Sequence, residues 1–311
     1  MVRYVARRLL QAAVVLALVT VLVFLIARIS GNPVDVMVPI GAPASLRRQI
    51  THQMGLDQPL PVQFLRFVGG AVHGDFGMST RFQEPAMQLV LEHLPNTIEL
   101  ALAATLLAMV VGVPLGVVAA LRRGGAVDAA IGVVSTFGQA VPSFWLGILL
   151  ILLFGVRLGW LPVAGQSGPA SLIMPAVSLA VIPLVSILRL SRSSVIEVLQ
   201  RDFVRTARAK GLRRLAVIGR HVLPNGLASV IAFTGILIGG LLGGAVITEQ
   251  IFAWPGVGQL AIQSIEARDY AVVQALTVLT ATMVVVMNLL ADLAHLAIDP
   301  RVRASATGGG R

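Results

Sequence analysis

"DFVRTARAKGLRRLAVIGRHVLPN" (residues 202–225) joins two long apolar runs, at about 172–190 and 227–248. Nine of the chain's 24 Lys and Arg residues lie between Arg189 and Arg220, among them the single lysine, Lys210. A basic segment held between oily runs is a nucleic-acid reader, a membrane-surface anchor or a docking element, and the choice decides what the runs belong to. Val195, Leu199, Phe203 and Ala207 recur every four residues, with Glu197, Arg201, Arg205 and Arg208 on other faces. That spacing predicts one amphipathic helix over 193–210, ended by Gly211. A second short helix starts at Leu212 and is expected to break at Pro224, just before the next run.

A DNA-reading helix-turn-helix needs a compact domain of about 60 residues, whereas only 191–225 is available and both ends are tethered. A basic helix on anionic lipid gains roughly 1 kcal/mol per arginine. However, Phe203 is its only aromatic residue and its apolar face is narrow. The remaining reading is a rigid helical knuckle that projects from the membrane into a groove of a soluble partner.

Composition supports a membrane setting. The 311 residues are 56% hydrophobic and 12% charged, with a mean hydropathy of +0.87. A soluble domain carries about 25% charged residues. Six runs are long enough to cross a bilayer as helices, at about 9–29, 98–121, 129–156, 172–190, 227–248 and 271–296. The chain is therefore expected to be an all-α polytopic membrane protein. "MVRYVARRLLQAAVVLALVTVLVFLIARIS" (1–30) is basic and then apolar, but too long in its apolar part for a signal peptide, and reads as a retained first span.

The net charge of +10 is then an orientation signal. With the N-terminus inside, the cytoplasmic side receives Arg3, Arg7, Arg8, Arg122, Arg123, the nine residues from Arg189 to Arg220, and Arg301, Arg303 and Arg311. Arg28, Arg47, Arg48, Arg66, Arg81, Arg157 and Arg268 remain at or beyond the outer face. Both termini are expected inside.

The loop 30–96 is expected to be a small folded element. In "SLRRQITHQMG" (45–55), Leu46, Ile50 and Met54 share a helix face and Gly55 supplies the stop. "QPLPVQFLRFVGG" (58–70) starts a helix on prolines and is expected to end it at Gly69–Gly70. "HGDFGMS" (73–79) reads as tight turns. Asn96, three residues before Glu99, resembles a cap for the second span.

Pro114, Pro142, Pro175 and Pro183 fall inside spans, where neighbouring helices re-satisfy the freed carbonyls. In "TGILIGGLLGGA" (234–245), Gly235, Gly239 and Gly243 are spaced by four, as are Gly240 and Gly244. Such stripes let backbones approach closely and serve packing within the chain, a subunit seam or a pathway. The acidic residues that could couple an ion, Glu249 and Asp292 (the latter beside Asn288 and His295), sit near span ends, where capping or inter-helix hydrogen bonding is the plainer role.

Catalytic signals are missing. With no cysteine there is no disulfide, thiol nucleophile or thiolate metal site. The only lysine follows Ala209, so there is no Gly-Lys-Ser/Thr P-loop. His52, His73, His93, His221 and His295 have no metal-ligand spacing. No cofactor is expected on this chain.

The basic stretch resembles the cytoplasmic signature of permease subunits of bacterial ABC importers: Glu-Ala-Ala, three residues, Gly, nine residues, Ile, one residue, Leu-Pro. Ala207, Gly211, Leu223 and Pro224 match at that spacing, while Arg205, Thr206 and His221 stand at the Glu, first Ala and Ile positions. "DFVRTARAKGL" is similar to the version found in the dipeptide/oligopeptide/nickel permeases. So are "GLDQPLPVQFLRFVGGAVHGDFGMS" (55–79), "TEQIFAWPGVG" (248–258) and "DLAHLAIDPRVR" (292–303), in the right order. The long loop after the first span resembles the B-type subunit.

The resemblance implies a type I importer permease fold: 1–96 as first helix plus outer element, 97–298 as the core and 299–311 as a cytoplasmic tail. It implies a second permease subunit, two cytoplasmic ATP-binding subunits that hold ATP and Mg, and an extracytoplasmic solute-binding protein. Asp202, Phe203, Arg205, Thr206, Ala207, Arg208, Ala209, Lys210, Gly211 and Leu212 would form the coupling helix. The loop 30–96 and the segment 249–270 would face the binding protein. Peptides are the expected substrate, with nickel, glutathione and opine- or sugar-like solutes as alternatives. A self-contained secondary transporter is the competing class.

Overall fold

The computed structural model describes residues 2–29, 34, 38, 42–53 and 55–298. The tail 299–311 lies outside them, and with it Arg301, Arg303 and Arg311; so do Met54 and the side chains of Arg3, Asp292 and His295. The described chain is helical, with one isolated β-bridge, between Met78 and Pro85. The helices are α1 (Val2–Ile29), α2 (Ala44–Gln53), α3 (Leu60–Val72), α4 (Ala86–Leu121), α5 (Ala126–Ala140), α6 (Ser143–Leu150), α7 (Ile173–Leu199), α8 (Asp202–Ala209), α9 (Arg214–Val217), α10 (Leu223–Gly244), α11 (Val246–Ile251), α12 (Val257–Glu266) and α13 (Tyr270–Ile298). Among the described residues, five helices are long and apolar enough to cross a membrane, or six if one bent pair counts as a single span.

That pair corrects the expected continuous run over 129–156. α5 and the helical segment Ser143–Arg157 are bent by 94° at Val141–Pro142. A proline disfavours the α conformation in the residue before it, and Val141 leaves the helix at φ −80°, ψ 120°. Pro224, by contrast, does not break the chain before the fifth span. A π-helical turn, Ile218–Val222, runs from α9 into α10, and Pro224 sits in the first turn of α10. The widened register accommodates a ring that lacks an N–H donor. Asn96 is not a cap either, because α4 begins ten residues earlier, at Ala86.

By contacts the chain divides into two compact units. In the unit Ile98–Trp254, α7 is the buried post, with α5, α6 and α10 packed along it. The second half of α4 closes on α7 through Gly112 and Gly116, a four-residue glycine pair not singled out in the sequence. A Cβ on Gly112 would stand 2.9 Å from the Leu184 carbonyl oxygen, and one on Gly116 would collide with the Leu188 carbonyl and the Ser191 side chain. Ser178 Oγ donates to the Ser143 carbonyl at 2.7 Å and fixes the start of α6 on α7. Arg192 of α7 grips Asp128 at the start of α5 with two bonds of 2.7 and 2.8 Å.

The other unit contains the described residues of Met1–Thr97, Pro255–Asp292 and Leu296–Arg311. Phe24 of α1 packs edge-on against Phe64 of α3, centroids 5.4 Å apart, and also against Phe67. Phe76, Leu89, Val90, Leu260, Val272 and Leu276 are among the residues forming its core. α3 runs through Gly69–Gly70 rather than stopping there. It ends with Gly74 in the left-handed region, where Asp75 N–H reaches the Gly70 carbonyl at 2.8 Å. "HGDFGMS" does form tight turns, with Gly77 N–H donating to Asp75 Oδ1 at 2.9 Å. Asn96 Nδ2 donates to the Pro255 carbonyl at 2.8 Å, and Val257 N–H to Thr97 Oγ1 at 2.9 Å. Both bonds tie the start of α12 to α4.

Candidate functional site

The basic stretch folds differently from the single amphipathic helix read in the sequence. α7 carries Val195 and Leu199 as far as Leu199, the chain turns at Gln200–Arg201, and α8 starts afresh at Asp202. The turn rotates the apolar stripe. Val204 and Ala207, three apart, are the buried residues of α8, while Phe203 is exposed. Val204 and Ala207 enter a cluster with Ala120 of α4, Val195 of α7, Val217 of α9 and Val222. Burying one valine contributes about 2 kcal/mol, so two small side chains pin the knuckle to three other elements. Val204 was missed because its neighbour Phe203 fits the four-residue period carried over from α7.

α8 ends in a Schellman motif. Gly211 adopts φ +77°, its N–H reaches the Arg208 carbonyl at 3.0 Å, and Leu212 N–H reaches the Ala207 carbonyl at 3.4 Å. A Cβ on Gly211 would meet nothing within 4 Å, so its role is conformational rather than steric. Of the ten predicted coupling residues, Ala207 alone is buried. Asp202, Phe203, Arg205, Thr206, Arg208, Ala209, Lys210, Gly211 and Leu212 are exposed. Leu215, also missed, is 83% exposed. The knuckle therefore offers Phe203, Leu212 and Leu215 on a field of Arg205, Arg208, Lys210, Arg213 and Arg214. Its internal charge pairs are local: Arg201 with Glu197, and Arg205 with Asp202 at 3.8 Å. Such a surface suits an apolar groove with an acidic rim.

The glycine stripe of α10 is open at three of its positions and buried at a fourth. A Cβ on Gly235, Gly240 or Gly243 would meet nothing within 4 Å; Gly239 is buried. Gly226 in the same helix is closely approached: a Cβ there would stand 3.3 Å from the Val195 side chain. The segment 248–258 turns its large groups inward: Glu249, Phe252 and Trp254 are all buried. Phe252 lies 3.1 Å from where a Cβ on Gly147 would stand. In the other unit, buried Asp269 accepts from Ser79 Oγ at 2.5 Å, Arg81 N–H at 3.3 Å and Val272 N–H at 3.4 Å. It thereby caps α13 and anchors the loop that follows α3. Among the described residues no group of three His, Asp or Glu could hold a metal ion.

Comparison with known proteins agrees with this architecture. A family model described as binding-protein-dependent transport system inner membrane component matches residues 112–304, and its N-terminal companion matches 1–101. The chain is 38% identical to the oligopeptide transport system permease protein AppB of Bacillus subtilis (strain 168), covering 97% of this chain and 99% of that one. It is 39% identical to the di/tripeptide transport system permease protein DppB of Pseudomonas aeruginosa (strain UCBPP-PA14), again over 97% and 99%. The dipeptide transport system permease protein DppB of Escherichia coli (strain K12) is 37% identical over the same shares. Among solved structures, the MetNI methionine ABC transporter in an inward-facing form aligns with a TM-score of 0.53 at 21% identity, covering 70% of this chain and 96% of that one. An amino acid ABC transporter aligns at 0.51 and 16% identity, covering 66% and 92%. These two show the fold alone. The chain belongs to the family of binding-protein-dependent transport system inner membrane components, the multi-pass permease subunits of ABC importers.

Proposed function

We propose that this permease translocates di- and oligopeptides handed over by an extracytoplasmic solute-binding protein. The observation that carries the substrate class is the end-to-end likeness to permeases whose names state peptide transport. The machine would pair this chain with a second permease subunit and two cytoplasmic ATP-binding subunits, which hold ATP and Mg. Both termini lie inside, and the bent pair α5–α6 counts as one of six spans. Residues 1–96 form the first helix with its outer element, 97–298 the transporting core and 299–311 the tail.

In this scheme α8 and the turn that ends it, Asp202 to Leu212, form the coupling helix. Its support is physical: it is pinned by Val204 and Ala207, ended by Gly211, and otherwise exposed with cationic and apolar side chains. A short helix held this way moves as a rigid body, so closure of the ATP-binding subunits would be passed to α4, α7 and α9 together. Gly235, Gly239 and Gly243 belong to the subunit seam or the pathway. The test is reconstitution in liposomes of the four-chain complex with its binding protein. Uptake of labelled di- and tripeptides that requires ATP and every partner chain is expected. Uptake by this chain alone, driven by an ion gradient, would sink the proposal.

A further inference from the structure

We propose that the unit formed around α1 and α13 binds one acyl chain of an anionic phospholipid, with Arg268 on the headgroup phosphate. A cavity of about 400 Å³ lies there. α1 contributes Val23, Ile26 and Ala27 to its wall, and α13 contributes Val273 and Thr277. Val23 to Ala27 spans one helical turn, about 6 Å of depth. Arg268 precedes the first turn of α13, is exposed, and is the only charged residue among the described residues that line the cavity. No carboxylate pairs with its guanidinium among the described residues. An apolar slot one turn deep with an unpaired cation at the end of the spans is complementary to an acyl chain beneath a phosphate.

The backbone gives an independent reason to assign Arg268 a ligand. α12 ends in a Schellman motif, with Arg268 N–H on the Ile265 carbonyl at 3.1 Å and Asp269 N–H on the Ser264 carbonyl at 2.8 Å. Arg268 occupies the position that favours glycine, at φ +53°. The comparable ends of α2, α3 and α8 place Gly55, Gly74 and Gly211 there, and that of α11 places the small Ala253. An arginine held in a conformation that glycine adopts without strain is accounted for when its side chain has work to do.

The variant that tests this is Arg268→Gly, because it relaxes the turn while removing the charge. The full chain, in its assembled transporter, is placed in nanodiscs containing a photoactivatable-acyl phosphatidylglycerol, and labelled peptides are mapped. Label is expected on peptides containing 23–27 and 273–277. Phosphatidylcholine with the same acyl probe is expected to label them about five-fold less. Arg268→Gly is expected to lower phosphatidylglycerol labelling to the phosphatidylcholine level with an unchanged or higher melting temperature, Arg268→Lys to retain it, and Ala27→Trp to abolish it for both lipids. Excess inorganic phosphate is expected to leave labelling unchanged, since the acyl chain holds the lipid in place. Equal labelling by the two lipids, indifference to Arg268→Gly, or competition by phosphate alone would overturn the proposal. So would a photoreactive residue at position 27 that cross-links to another polypeptide instead of lipid.

Discussion

Gly211, Ala253 and Arg268 hold the same backbone position in three helix ends, and only the first is a glycine. All three have positive φ, at +77°, +46° and +53°. Trp254 N–H reaches the Glu249 carbonyl at 2.8 Å, as Leu212 does Ala207 and Asp269 does Ser264. A side chain in this region costs roughly 1 kcal/mol relative to glycine. Ala253→Gly is therefore expected to raise the melting temperature slightly, and Gly211→Ala to lower it by a similar small amount. Their effects on transport should differ. Gly211 lies on the exposed knuckle with open space around it, so Gly211→Ala is expected to reduce ATP-driven uptake far more than its effect on melting. Parallel melting curves and uptake rates for the two variants check this. Proportional losses in both would leave Gly211 as an ordinary helix stop. The sequence made Gly211 legible, because a glycine announces the motif; Ala253 and Arg268 carry no such sign, and their left-handed backbone became visible only in three dimensions.

At the scale of elements, periodicity identified the apolar runs and missed where the backbone changes direction. The run 129–156 contains Pro142, which was read as a tolerated kink. Its effect on Val141 instead splits the run into two helices at 94°. The stripe Val195–Leu199–Phe203–Ala207 crosses the turn at Gln200–Arg201, so the same arithmetic that placed Ala207 correctly put Phe203 on the wrong side and passed over Val204. Val204→Ala is expected to destabilise the knuckle by about 2 kcal/mol, seen as faster amide exchange in 202–212 while membrane insertion is unaffected. Ala207→Glu would bury a carboxylate in the same cluster, so lost transport in that variant reports on folding of the knuckle as well as docking. The two glycine stripes separate in a similar way. Gly116→Ala is expected to disrupt the α4–α7 contact and lower the melting temperature of the isolated chain. In open helical positions alanine is favoured over glycine by up to about 1 kcal/mol, so Gly235→Ala and Gly243→Ala should leave that temperature unchanged or higher. If these two glycines form a seam, the same variants weaken co-purification of the second permease. Unimpaired assembly and transport in both variants would remove the stripe from seam and pathway alike.

For the whole molecule, arginine distribution and span length bear on one question, how many times the chain crosses the bilayer. α5 has 15 residues and Ser143–Arg157 another 15, about 22 Å each at 1.5 Å per residue. Neither alone matches the roughly 30 Å of hydrocarbon. Tilted symmetrically about a 94° bend, the two together rise about 30 Å, so the pair suffices for one crossing; with its apex at depth it would return to the side it left. Charge favours the crossing. Arg122 and Arg123 precede the pair and stand apart from Arg157 at its end, as the inside excess of arginine requires if the ends face opposite sides. The absence of cysteine makes this directly measurable, since any introduced thiol is the only one. Single cysteines at Gly124, Gly159, His73 and Ala209, labelled in intact cells with a membrane-impermeant maleimide, are expected to react at positions 159 and 73. Positions 124 and 209 are expected to react only after permeabilisation. Reaction of 124 and 159 from the same side would make the pair re-entrant, reduce the crossings to five and place the two termini on opposite faces. The coupling assignment of α8 would then depend on position 209 alone, because a thiol there that reacts in intact cells puts the knuckle on the side away from ATP.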